Sequence, residues 1–123
     1  MTGEGETAIV LFAHGARDPE WAEPFRKIQR AVAEKTRARV ELAFLELMRP
    51  SMEEAISQLA EAGVNRITLF PLFLAQGGHL KQDLPRLIGE VEKRHPDLAI
   101  EVTPALGEVD SILDAIAAWI CER

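Results

Sequence analysis

Four short apolar runs, each followed by a longer amphipathic stretch, constrain this chain more than any other feature. Residues 8–13 (AIVLFA), 40–45 (VELAFL), 66–71 (RITLFP) and 99–103 (AIEVT) have strand length and are rich in Val, Ile, Phe and Thr. The first run is continuously apolar, as suits a strand covered on both faces. The second and fourth each carry one Glu, which suits places nearer a sheet edge. In the first helical stretch, 20–36, Trp21, Phe25, Ile28 and Val32 recur at steps of three or four, forming one apolar stripe. Pro24 fits there only within the first turn. Ser51-Met52-Glu53-Glu54 is a capping box that opens a second helix, and Gly63 closes it. The third helix is expected over about 83–94, with Pro85 near its first position and Leu84, Leu87, Ile88 and Val91 on one face. His95-Pro96 ends it. The fourth, 110–120, carries Ile112, Leu113, Ile116, Trp119 and Ile120, with Asp110 or Ser111 as cap. The order βαβαβαβα predicts an α/β fold: a single open, mostly parallel four-stranded sheet with helices on both faces and right-handed crossovers.

At 123 residues the chain has the length of one domain, expected to span 1–123, since cores of this size need neither a disulfide nor a structural metal. Fourteen Lys and Arg against twenty Asp and Glu leave a net charge of −6, which argues against nucleic acid or an anionic membrane as partner. The only cysteine, Cys121, excludes an internal disulfide and any CxxC motif. Residues 1–7 contain Glu4 and Glu6 and no basic residue, unlike a signal peptide. The longest mostly apolar stretch, 67–75, is interrupted by Pro71 and is far too short for a membrane span. A soluble cytoplasmic domain is the expectation.

Ligands of open α/β sheets bind outside the carboxyl ends of the strands. After the first strand comes His14-Gly15-Ala16-Arg17-Asp18; the second runs into Glu46, then Met48-Arg49-Pro50; the third is followed by Gln76-Gly77-Gly78-His79 and Lys81. Two imidazoles and a carboxylate, His14, His79 and Glu46, thus belong to one sheet edge. That donor set suits a divalent first-row metal with open positions, and the same groups can accept protons. Taken singly, a histidine after a strand is more often a loop residue bonded to backbone, and a lone Glu a solvated one. The three together make the case. Gly77-Gly78 lets backbone approach a ligand or simply turns the chain into the third helix. His95, at the other end of the sheet, reads as a helix C-terminal dipole partner or surface residue. Trp21, Phe25 and Trp119 read as core or dimer contacts.

Several chemistries are excluded. Neither GxGxxG nor GxxxxGK[ST] occurs, and Ser51, Ser57 and Ser111 lie in or beside helices, away from any nucleophile elbow. A phosphoryl-transfer histidine would want an Arg directly before it, where Ala13 stands.

The segments Leu11-Phe12-Ala13-His14-Gly15-Ala16-Arg17-Asp18, Phe44-Leu45-Glu46 with Pro50-Ser51-Met52-Glu53-Glu54-Ala55, and Pro71-Leu72-Phe73-Leu74-Ala75-Gln76-Gly77-Gly78-His79-Leu80-Lys81-Gln82-Asp83-Leu84-Pro85 resemble, in order, the HGSRD, FLE/PS-EEA and PLFL–GGH–K–D–P stretches of the short CbiX proteins, the sirohydrochlorin chelatases. The likeness runs over about 8–115; one departure is Ala16, where the pattern often has Ser. The resemblance implies a class II chelatase half-domain, a homodimer whose two chains make the cleft, and His14, Glu46 and His79 as metal-site and catalytic residues. It implies insertion of Co²⁺ or Fe²⁺ into sirohydrochlorin for cobalamin or siroheme synthesis, with no organic cofactor and the metal as substrate. Nickel is an alternative metal, since affinity order favours Ni²⁺ in an N/O site. A carrier of metal or tetrapyrrole without turnover is the alternative of another class. The substrate's many carboxylates call for cations at the mouth, and Arg17, Arg49 and Lys81 stand near the strand ends with Gly77 and Gly78. Arg86 reads equally well as solvated surface charge.

Overall fold

The alternation of strand and helix patterns resolves into one parallel sheet. The computed structural model describes residues 6–123, with the side chain of His79 outside the described part. Strand β1 (Glu6–Ala13) leads through a 3-10 turn (Pro19–Ala22) into α1 (Glu23–Lys35); then follow β2 (Arg39–Phe44), α2 (Met52–Glu61), β3 (Val64–Pro71), α3 (Gly78–Arg94), β4 (Ala99–Val102), a second 3-10 turn (Leu106–Glu108) and α4 (Asp110–Cys121). The strand order is β2-β1-β3-β4 with every pairing parallel, so β2 and β4 are the edges, as their glutamates suggested.

Right-handed crossovers then decide which helix covers which face. The step from β1 outward to β2 puts α1 on one face; the steps to β3 and β4 run the other way and put α2 and α3 on the opposite face. Alternate residues follow. Ala8, Val10, Phe12, Ala43, Ile67 and Leu69 pack with Ala55, Ile56 and Leu59 of α2 and Leu84, Ile88 and Val91 of α3. Leu11, Ala13, Leu42 and Phe44 face the other way, beneath Trp21 and Phe25. Burying each large side chain contributes about 1.5–3 kcal/mol.

Local chemistry sets the helix ends. Ser51 Oγ accepts from the Glu54 N–H at 3.1 Å while the Glu54 carboxylate accepts from the Ser51 N–H at 2.9 Å, completing the expected capping box. Gly63, with φ +95°, ends that helix. Pro24 sits in the first turn of α1. Two expectations fail. Helix α3 begins at Gly78, so Pro85 lies inside it. Leu80 and Leu84 are buried in the core, and that burial holds the turns preceding the proline. Helix α4 is capped by Val109, without a side-chain bond from Asp110 or Ser111. No helix of the described residues is long and apolar enough to cross a membrane.

Candidate metal and substrate site

The carboxyl ends of β1 and β2 continue their pairing beyond the strands. The Leu45 N–H donates to the Ala13 carbonyl at 2.9 Å and the Glu46 N–H to the His14 carbonyl at 3.0 Å. On the other side the Leu72 N–H donates to the Phe12 carbonyl at 2.8 Å. His14 is therefore fixed by its main chain, with Glu46 on the adjacent strand end. Gly15 makes the approach possible: its φ is +97°, and a Cβ there would stand 1.9 Å from the Glu46 carbonyl oxygen.

The His14 imidazole is exposed, and its ring lies against Phe73 with centroids 4.5 Å apart and planes 57° apart. Phe73 is itself buried, edge-on to Phe12 at 5.7 Å. Its carbonyl accepts from the Gly107 N–H at 3.2 Å, so the turn after β4 braces the same loop. Glu46 is also exposed. At the same edge Leu47 and Leu74 leave 59% and 63% of their surface open to solvent, giving the mouth apolar contacts beside its polar ones.

Of the other residues named from the sequence, Arg17 and Lys81 are exposed. Arg17 lies in the loop that Asp18 closes by capping the first 3-10 turn, accepting from the Glu20 N–H at 2.9 Å. Gly77 is the cap of α3 and Gly78 its first residue, with nothing within 4 Å of a Cβ at either. His79, next in the first turn of α3, is at this edge by its backbone, and its side chain is outside the described residues. Among the described residues no three His, Cys, Asp or Glu side chains group closely enough to hold a metal ion. Arg49 is bound to Glu54: its Nε donates to Oε1 at 3.2 Å and its NH2 group to Oε2. That bond raises the guanidinium pKa and holds the Glu54 carboxyl below the ordinary carboxylate value. Arg86 pairs with Asp83 and Glu90, each at 3.4 Å. His95 is away from this edge, its Nε2 3.2 Å from the Ser57 Oγ, a link between α2 and the end of α3.

Phe73, Leu47 and Leu74 went unrecognised in the sequence. In the sequence Phe73 and Leu74 stand only in the stretch that resembles the family, and the tertiary structure alone puts the Phe73 ring against His14.

The molecule is thus an open parallel α/β domain with an imidazole and a carboxylate at neighbouring strand ends, the edge at which ligands of such sheets bind. Comparison with known proteins specifies it further. Residues 8–123 match the CbiX family model, and the chain belongs to the CbiX family. A Saccharolobus islandicus sirohydrochlorin cobaltochelatase is 38% identical over 120 residues, 93% of each chain. A protein of the same name from Methanopyrus kandleri is 41% identical over 83 residues, which are 67% of this chain and 58% of the Methanopyrus protein. Among solved structures, a CbiX protein of cobalamin biosynthesis from Marinobacter aquaeolei superposes with a TM-score of 0.85 at 32% identity, covering 94% and 95% of the two chains. The sirohydrochlorin chelatase SirB of Bacillus subtilis, solved with cobalt, shares the fold at a TM-score of 0.80 and 24% identity; the match covers 95% of this chain and 50% of SirB.

Proposed function

We propose that this chain inserts a divalent metal, Co²⁺ first among candidates, into sirohydrochlorin. The observation that carries the proposal is the main-chain hydrogen bond that joins the His14 and Glu46 strand ends, with the His14 ring braced on Phe73, in a chain of the CbiX family. The reaction removes pyrrole N–H protons while a hydrated metal sheds its waters. The His14 imidazole ligates the metal through its one lone pair and takes a pyrrole proton there once the metal has left it for the macrocycle; Glu46 takes the second proton, and His79 completes the metal site. Arg17 and Lys81 receive the substrate carboxylates, and Gly77 and Gly78 admit the macrocycle close to the backbone. Arg49, already held by Glu54, joins them by exchanging that partner for a substrate carboxylate. Two copies of the chain enclose the macrocycle, no organic cofactor takes part, and the reaction runs in the cytoplasm.

The test is anaerobic absorbance of sirohydrochlorin with Co²⁺, Fe²⁺ or Ni²⁺ at sub-stoichiometric protein, with spontaneous insertion subtracted. Many turnovers, lost in a His14→Ala, His79→Ala variant, are expected. A spectral change limited to one equivalent refutes turnover and makes the protein a carrier. Faster insertion of nickel than of cobalt overturns the choice of metal.

A further inference from the structure

Leu47 holds a conformation for which its own chain gives it no reason. Its φ is +67°, and the Met48 N–H donates across it to the Glu46 carbonyl at 2.8 Å. A bond from one residue to the second before it, over a centre of positive φ, makes the rare and strained form of γ-turn. Among the described residues Leu47 alone, apart from glycines, has a positive φ. The path itself is needed: the Glu46 carbonyl that closes the turn is the oxygen that Gly15 approaches for want of a Cβ. Such a path asks for glycine or asparagine, which enter the left-handed region at little cost, whereas leucine enters it against its own Cβ. Strain of this kind collects where a side chain meets a ligand. Nor does the interior offset it. Leu47 is exposed and belongs to neither apolar cluster, while Leu45 before it packs against one and Met48 after it against the other.

Leu74 repeats the pattern on the other side of His14. It too is exposed and outside both clusters, although Leu72 and Phe73 each pack into one. Strand β1 lies between β2 and β3, so the chain beyond three consecutive strand ends carries Leu47, His14 and Leu74 in that order. With about 4.8 Å between neighbours, the two outer strand ends stand roughly 10 Å apart. A hydrated metal ion gains nothing from two leucines, and a small acid would need only a cation. Arg17, on the loop after β1, and Lys81, in the first turn of α3, are exposed, and neither forms an ion pair among the described residues. Apolar side chains flanking an imidazole, with free cations around them, fit a ligand that is broad and apolar across its face and anionic at its rim.

We propose that Leu47 and Leu74 are specificity-determining contacts for the face of a planar tetrapyrrole, and that the strained turn is kept because it holds the Leu47 side chain out of the core and against that ligand. A macrocycle lying across both leucines has its centre over the strand end between them, where His14 stands. The proposal rests on the chelatase reading for the identity of the macrocycle and is independent of its metal chemistry. The leucines bind the metal-free macrocycle, so they act on KM and leave the metal contacts of His14 and Glu46 as they are.

Anaerobic titration of metal-free sirohydrochlorin, followed by absorbance, measures this contact without insertion. Leu47→Asn and Leu74→Ser are each expected to raise the dissociation constant about tenfold, and the double variant about 100-fold. Leu47→Met keeps an apolar side chain and is expected to stay within about threefold of the wild type. The urea midpoint of Leu47→Asn is expected to rise by about 0.3 M, because asparagine tolerates the turn. Calorimetry of Co²⁺ alone is expected to give the same affinity in the wild type and both single variants. Unchanged macrocycle affinity in the double variant overturns the proposal. A lower urea midpoint for Leu47→Asn shows that the fold itself uses the leucine, and overturns it too. Loss of Co²⁺ binding together with macrocycle binding assigns the effect to a displaced Glu46, with the same consequence. Macrocycle binding that the leucine variants weaken, without metal insertion by the wild type, refutes the chelatase reading and leaves this one standing; insertion by the wild type with undiminished binding in the variants does the reverse.

Discussion

Replacing Gly15 by alanine tests the geometry that places His14 beside Glu46. Gly15 has φ +97°, and the left-handed region costs a residue with a Cβ about 1–2 kcal/mol. The new Cβ would also stand 1.9 Å from the Glu46 carbonyl oxygen and 3.1 Å from its carbon, both of them main chain. Backbone cannot rotate away as a side chain can, so the ends of β1 and β2 must part by about 1 Å. Separation breaks the hydrogen bond from the Glu46 N–H to the His14 carbonyl, worth about 1 kcal/mol. The expected loss of stability is thus about 2–4 kcal/mol. Gly63 is an internal control, with φ +95° and nothing within 4 Å of a Cβ. Gly63→Ala therefore carries the backbone cost alone, about 1–2 kcal/mol. Equilibrium urea unfolding of the two variants measures the difference. Displacing a reacting group by about 1 Å costs as much as 100-fold in rate, so Gly15→Ala is also expected to lose most of its metal-insertion activity, and Gly63→Ala none of it. Equal destabilisation by the two substitutions, to within about 0.5 kcal/mol, would refute the argument from close approach.

Phe73→Leu keeps an apolar side chain under His14 but removes the ring it rests on; about tenfold lower kcat/KM is expected, with Arg17-dependent changes in KM left intact. Arg17→Ala is expected to raise KM more than it lowers kcat, and an unchanged KM in the steady state would remove Arg17 from the substrate contacts. Ser51→Ala removes the oxygen that accepts from the Glu54 N–H, and thermal or urea unfolding should show a loss of about 1 kcal/mol. The bond to Arg49 and the Ser51 N–H hold the Glu54 carboxyl below its ordinary value. Its contribution is therefore complete above the unfolded carboxylate pKa and is lost as pH falls through the lower folded value. Unfolding followed from neutral to acid pH should be less steep for Glu54→Gln than for the wild type; identical slopes would count against the linkage.

The strand edges, the capping box at Ser51 and the glycine that ends α2 were legible because each depends on residues close in sequence. Hydrophobic period and cap chemistry are local properties, and right-handed crossovers convert them into a sheet. Locality also explains the errors. Pro85 looked like a helix start because the cue counts only near neighbours, whereas Leu80 and Leu84 extend α3 forward by burial against distant strands. Arg49 was legible as a cation near the mouth but not as the partner of Glu54, since that bond requires the loop's path.

His14 and Glu46 were readable as candidates because strand ends fall at one edge of any parallel sheet. The main-chain bond that joins them was not readable. It depends on the left-handed turn at Gly15 and on the pairing of segments thirty residues apart, which only the assembled sheet brings together. Leu47 illustrates the same division. Its apolar side chain is a property of the sequence and by itself calls for burial. Its exposure follows from the strained turn by which the end of β2 meets Gly15, a fit between distant segments that no local pattern contains.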